Sequence, residues 1–156
     1  MALKIPVELY DQLRQHGEAT YPHECCGVLV GEFDEAGEKV VRAVVQCGNT
    51  RTDSPQNRYH ISPLELVRIQ REALLAGHDI VGFYHSHPDH PARWSSTDLA
   101  EAHWTGSSYV ITSVENGRAV LTNSFILLDR EEAKHFEDEL LKVIEHQPMY
   151  CRTKPI

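Results

Sequence analysis

Apolar residues along the chain fall into stretches of helical spacing separated by short continuous runs. Between Pro6 and His16, Leu9, Tyr10 and Leu13 share one helical face, and Pro6 suits a first helical turn. Tyr21-Pro22-His23-Glu24 interrupts that segment. Cys25-Cys26-Gly27-Val28-Leu29-Val30-Gly31 then reads as a buried strand with Glu24 at its mouth. Lys39 to Val45 reads as a second strand, reached through the turn Asp34-Glu35-Ala36-Gly37. From Gly48 to Arg58 the chain is polar and turn-rich, a long loop of the kind that is often functional.

Ser62-Pro63-Leu64-Glu65 has the form of a capping box with proline at the first helical position. It predicts a helix to about Ala76, with Leu64, Val67, Leu74 and Leu75 turned inward and Gly77 closing it. Ile80-Val81-Gly82-Phe83-Tyr84 is a buried strand that leads into a loop with two prolines, and a helix follows from about Ser96 to His103. Tyr109 to Val114 is a further strand, Asn116-Gly117 a hairpin turn, and Ala119 to Leu128 one or two more strands. Beyond residue 129 two readings stand. Asp129-Arg130-Glu131-Glu132 resembles a helix start, and Ala133, Phe136, Leu140, Leu141 and Ile144 form a helical stripe. The alternation around Phe136, Leu141 and Val143 allows short strands instead. Helices alternating with a central sheet predict one α/β or α+β domain over residues 1–156, least defined from about 129 onward.

Composition narrows the function classes. A chain of 156 residues with 41% hydrophobic residues can bury a core of its own. Its formal charge of −8, from 15 basic and 23 acidic residues, weighs against nucleic acid or an anionic membrane as main partner. No apolar run nears the ~20 residues that span a bilayer, and Met1 to Pro6 lacks a signal-peptide apolar region, so no membrane partner and a cytoplasmic location are expected. Cys25, Cys26, Cys47 and Cys151 form no Cys-x-x-Cys pair and are expected as free thiols.

The candidate chemistry lies in His85-Ser86-His87 and in Asp98 at the next helix start. Two histidines one residue apart at a strand end converge if the strand twists or kinks there. Two imidazoles and a carboxylate suit Zn²⁺, with a fourth position left for water. Glu24, beside a buried run, is the candidate base for that water. Against this, histidines in loops are commonly surface residues, and most glutamates at strand mouths are solvated. His23-Glu24-Cys25-Cys26-Gly27 begins like His-Glu-x-x-His, but Gly27 stands where the second histidine is needed. The zinc deaminase signature is absent. A nucleophile at Cys25 or Cys26 is disfavoured, because vicinal cysteines entering an apolar strand are more often packing residues.

Glu24, His85-Ser86-His87, seven residues, Ser95, two residues and Asp98 resemble the motif of the JAMM, or MPN-plus, zinc metalloproteases. Tyr21 to Gly31 is similar to that family's Pro-x-Glu-x-Cys-Gly first strand, and the resemblance covers roughly residues 5 to 128. It implies one Zn²⁺ per chain on His85, His87 and Asp98, Glu24 as general acid/base and Ser95 as donor to the oxyanion. The implied fold is a curved mixed β-sheet flanked by helices, similar to the deaminase scaffold. The implied reaction is hydrolysis of a peptide or isopeptide bond after the C-terminal glycine of a ubiquitin-like protein. The short stand-alone form is most similar to prokaryotic members linked to sulfur-carrier proteins, some of which free cysteine from a carrier's C-terminus. Trp94 replaces the usual proline before the motif serine, and His90 fills a position often small, so the loop beside the metal departs from the pattern. The competing reading is a non-catalytic MPN-type binding module. Relatives of that kind lack the glutamate or a ligand, whereas every position is present here. The carrier, the residue released and the oligomeric state, a dimer included, stay open.

Overall fold

In a computed structural model, which describes residues 1–49, 59–130 and 133–145, strands outnumber helices. The order is β1 (Ala2–Pro6), α1 (Val7–Thr20), β2 (Cys26–Phe33), β3 (Lys39–Cys47), α2 (Pro63–Leu75), β4 (Asp79–Pro88), α3 (Ser96–Glu101), β5 (Ser108–Glu115), β6 (Arg118–Arg130) and β7 (Ala133–Ile144). The strands form one strongly curved mixed sheet, closed in the order β1-β3-β2-β4-β5-β6-β7. β4 runs parallel to β5, and β1 runs parallel to both β3 and β7, while the other pairs are antiparallel. This is the expected α+β fold of a curved mixed sheet flanked by helices. No helix among the described residues is long and apolar enough to cross a membrane.

The central strands are buried on both faces, which explains their continuous apolar runs. On one face Leu3, Ile5, Leu29, Val81, Tyr84 and Val110 pack with Leu13 of α1, and Leu9 and Tyr10 lie against them as the helical spacing predicts. Gly17 lets α1 lie close, since a Cβ there would sit 3.1 Å from Val114 and 3.2 Å from Ser86. On the other face Cys26, Val28, Phe83, Tyr109, Ile111 and Phe136 pack with Ile69 and Ala73 of α2.

Several expectations are corrected. The N-terminal residues are a strand, because Leu3 and Ile5 pair into the seam between β3 and β7 and are wholly buried. α1 starts at Val7 with Pro6 outside it, and runs on to Thr20. α2 turns the opposite way from the predicted face. Ile69 and Ala73 are buried, whereas Leu64 and Leu75 are 82% and 83% exposed, and Val67 and Leu74 are exposed as well. Ser62 caps α2 only through its backbone, its carbonyl accepting from Leu66 N–H, with no side-chain cap bond. Of the two readings open for residues 133–144 the strand holds and the helix does not, since β7 finds backbone partners on both sides, in β6 and β1, and tertiary pairing overrides local periodicity. The Asn116-Gly117 turn stands as predicted, with φ of 50° and 83°. Residues 50–58 of the expected long loop, Glu131, Glu132 and Cys151 lie outside the described residues.

Candidate metal centre

The histidines lie within the last four residues of β4, at its C-terminal end as the sequence predicts. β4 continues through them to Pro88, held parallel to β5 by the pairings His85↔Ile111, His87↔Ser113 and Pro88↔Val114. No kink is needed, because alternate residues of a strand share a face. Phe83, His85 and His87 face α2 and α3, while Tyr84 and Ser86 face α1. The same period in β2 puts Cys26 and Val28 on the site face and Cys25 on the α1 face, so Glu24 has the parity of the site. Gly27 gives Tyr84 its place, since a Cβ there would stand 2.2 Å from the ring.

Asp98 arrives from the first turn of α3. Ser95 is the N-cap: its Oγ accepts from Asp98 N–H at 3.1 Å, and its own N–H donates to Asp98 Oδ2 at 2.9 Å. This reciprocal capping box aims the carboxylate at the histidines. Asp98 Oδ1 lies 3.3 Å from His85 Nε2 and Oδ2 lies 3.1 Å from His87 Nε2. The two Nε2 atoms are 3.2 Å apart. A tetrahedral zinc with bonds near 2.0–2.1 Å separates its ligand atoms by about 3.3 Å. The donor types and their spacing therefore fit zinc.

Neighbouring groups orient the candidate ligands. His87 Nδ1–H donates to the Pro91 carbonyl at 2.9 Å, which leaves Nε2 as the free lone pair facing the centre. His85 Nδ1 has no partner among the described residues, and its ring is instead stacked on Tyr59 at 4.5 Å. Asp98 is held well below the usual carboxylate range: burial acts upward on it, but the bonds and charges of His85 and His87 outweigh that.

Glu24 is 4% exposed, and its Oε1 has no partner among the described residues. Burial, and then the charges of Asp98 and Glu101, push its carboxyl up to about 9. Its backbone carbonyl accepts from Asn49 at 3.4 Å. A cleft of about 470 Å³ runs beside it, between His23 and Asn49. The cysteine alternative loses ground: Cys25, Cys26 and Cys47 are buried free thiols, and burial pushes Cys25 and Cys47 up to about 12.

All five residues singled out in the sequence are described. His85, His87 and Asp98 converge, Ser95 sits beside Asp98, and Glu24 lies within electrostatic reach of Asp98. The sequence carries Ser86 within the motif but assigns it no role, and it gives no sign of Tyr59 or Pro91. Ser-x-x-Asp at residues 95–98 could have announced the cap, but nothing local announces a stacking partner as distant in sequence as Tyr59. Trp94 packs on Phe136 at 5.6 Å, and the His90 carbonyl accepts from Ser113 Oγ at 2.6 Å, so the departing loop is anchored to β7 and β5.

Comparison with known proteins adds a family. Residues 6–125 match the family described as prokaryotic homologs of the JAB domain. The chain is 40% identical over 92 residues to a desampylase of Haloferax volcanii, a match covering 59% of this chain and 63% of that protein. It is 31% identical over 121 residues to a Thermus thermophilus protein named "probable TtuB-protein conjugate cleaving protease", covering 78% of this chain and 76% of that one. The solution structure of a Desulfitobacterium hafniense protein superposes with a TM-score of 0.73 at 26% identity, covering 92% of this chain and 94% of that chain.

Proposed function

The chain belongs to the prokaryotic homologs of the JAB domain, and from that premise we propose that it is a zinc-dependent peptidase that cuts after the C-terminal glycine of a ubiquitin-like sulfur-carrier protein. The observation that carries this reading is the convergence of two imidazole nitrogens and a carboxylate at 3.1–3.3 Å, with buried Glu24 in electrostatic reach. The substrate class rests on the desampylase and on the Thermus relative, whose name describes cleavage of TtuB–protein conjugates.

His85, His87 and Asp98 would hold one Zn²⁺. Bound there, zinc supplies Lewis-acid chemistry, making water nucleophilic near neutral pH and polarising the scissile carbonyl. Glu24 takes the proton of the attacking water and passes it to the departing amine. A cation among the three ligands would reverse the field that Asp98 exerts on Glu24, drawing its carboxyl down from about 9 toward the working range. Ser95 Oγ accepts from Asp98 N–H, so its own proton remains to donate to the carbonyl oxygen as negative charge develops.

The deciding experiment pairs Glu24→Gln with metal analysis. The variant should keep one zinc per chain while turnover of a carrier conjugate falls by ~10² or more. His87→Ala should lose the zinc. Wild-type turnover in Glu24→Gln would remove Glu24 from the mechanism. A zinc-loaded protein that bound carrier without cleaving any conjugate would be a binding module.

A further inference from the structure

Glu24 stands in the short segment between α1 and β2, and that segment is tied to the same neighbouring strand at both ends. At one end the Cys25 amide donates to Ser86 Oγ at 2.8 Å, and Ser86 N–H donates to the Cys25 carbonyl at 3.3 Å. At the other end Tyr21, the C-cap of α1, donates from its hydroxyl to Asp89 Oδ2 at 2.5 Å. In the chain His87 lies between Ser86 and Asp89, as Glu24 lies between Tyr21 and Cys25. The two ties therefore bracket the candidate base on one side and a candidate ligand on the other.

Asp89 is held to take that bond. Its φ of 57° lies in the left-handed region, which strains most residues and which aspartate tolerates better than most. Its N–H donates to the Val114 carbonyl at 2.7 Å, and its Oδ1 accepts from Asn116 N–H at 3.0 Å. The Tyr21 ring approaches the same turn, since a Cβ on Gly117 would stand 3.8 Å from it. Asp89 also opens the loop whose Pro91 carbonyl accepts from His87 Nδ1–H. Residues over-determined in such a conformation gather at functional sites. The Tyr21–Asp89 bond itself is exposed, and a hydrogen bond exchanged for one to water adds little net stability. The fold does not rest on it.

Resting on the peptidase reading above, we propose that Tyr21 and Asp89 are positioning residues: their bond, together with the Cys25–Ser86 pair, keeps Glu24 in register with His87. They act through Glu24 and not on the metal. A misplacement of about 1 Å at a reacting group can cost ~10²-fold in rate, so a bond that limits movement of this segment bears on kcat. Substrate affinity and zinc content do not depend on it.

The test compares Tyr21→Phe, which removes only the hydroxyl, with Asp89→Gly, which suits the left-handed backbone and removes the carboxylate. Hydrogen exchange of the metal-free protein, read by NMR, reports the tie without turnover. The His23 and Cys25 amides donate to the Thr20 carbonyl and to Ser86 Oγ. Their exchange should quicken at least fivefold in each variant, while amides of β2 beyond Val28 keep their rates. With zinc bound, at one per chain, kcat for a carrier conjugate should fall about tenfold in each variant, with KM within twofold. The double variant should be no slower than the slower single, because both substitutions remove one bond. In a Glu24→Gln background Tyr21→Phe should change kcat less than twofold, a silence that general loss of structure would not produce. Wild-type exchange in Tyr21→Phe, loss of zinc from it, or a tenfold fall that persists in Glu24→Gln would overturn the clasp. Full kcat in Tyr21→Phe refutes the positioning role and leaves the peptidase reading standing. Quickened exchange in both variants, with no conjugate cut by the wild type, supports the tie on the Glu24 segment and sinks the peptidase reading.

Discussion

The Ser86 hydroxyl accepts a hydrogen bond from the Cys25 amide at 2.8 Å, and Ser86 N–H returns one to the Cys25 carbonyl at 3.3 Å. The residue between the two histidines thus faces away from them and fastens the strand entry that carries Glu24. Ser86 is fully buried, so Ser86→Ala strands the Cys25 amide and should cost about 1–3 kcal/mol. Zinc content should stay at one per chain while kcat falls, because Glu24 loses its mooring and the ligands do not. Urea unfolding, metal analysis and turnover on one preparation check this. Unchanged stability would show that the bond is dispensable.

Ser95 is cap and candidate donor at once, and its removal should reveal both. Ser95→Ala should cost about 0.5–2 kcal/mol at the start of α3, as lost N-caps do. The Asp98 amide loses its acceptor, so the carboxylate is aimed less well and zinc affinity should fall. Under saturating zinc, kcat should still drop by ~10²–10³ if the hydroxyl also serves the oxyanion. Full recovery of kcat by excess zinc would leave Ser95 with the capping role alone.

The convergence of the candidate ligands was legible in the sequence because they are close together: His85, His87 and Asp98 fall within fourteen positions, and strand and helix periods do the rest. The place of Glu24 beside an apolar run was legible, and the pairing Cys26↔His85 sets the strand that follows it against the histidine strand. The end of the chain was not legible. Ala133 to Ile144 carries charged residues among its apolar ones, and its conformation depends on partners, β1 and β6, that no local pattern names. The α2 face was misread for a related reason. The apolar spacing points Leu64, Val67, Leu74 and Leu75 inward, but the groove beside β4 takes Ile69 and Ala73, and those four remain in solvent.

Glu24 should make the metal-free protein sensitive to base. Burial first, then Asp98 and Glu101, raise its carboxyl from an ordinary 4.5 to about 9. Across that window the folded chain holds the proton more tightly than the unfolded chain does. Its contribution to stability is therefore complete below pH 4.5 and is lost as pH rises toward 9. Unfolding free energy of chelator-treated protein should decline over this range, and Glu24→Gln, neutral throughout, should flatten the decline. Zinc-saturated protein should show a shallower slope, since a cation nearby favours the ionised carboxylate. Identical slopes for metal-free wild type and variant would mean that Glu24 ionises as freely as in water.

Closure of the barrel places a buried ion pair that can be tested by itself. Lys39 of β3 meets Glu139 of β7 at 3.1 Å, with side chains 6% and 1% exposed. β1 lies between those two strands in the sheet, so the pair reaches across the closing strand. The other carboxylate oxygen accepts from Ser108 at 2.5 Å and from Ser124 at 2.8 Å, which satisfies the charge from β5 and β6 as well. Removing one partner leaves the other charge buried alone, and losses of about 3–5 kcal/mol are typical of that. Lys39→Met and Glu139→Gln should each fall near this range. The double variant should cost less than the sum, because the Gln carbonyl can still accept from the serines and no charge remains unpaired. Urea unfolding of all four proteins gives the coupling directly. Strictly additive losses would show that each charge finds its own hydration and that the pair does not hold the barrel shut.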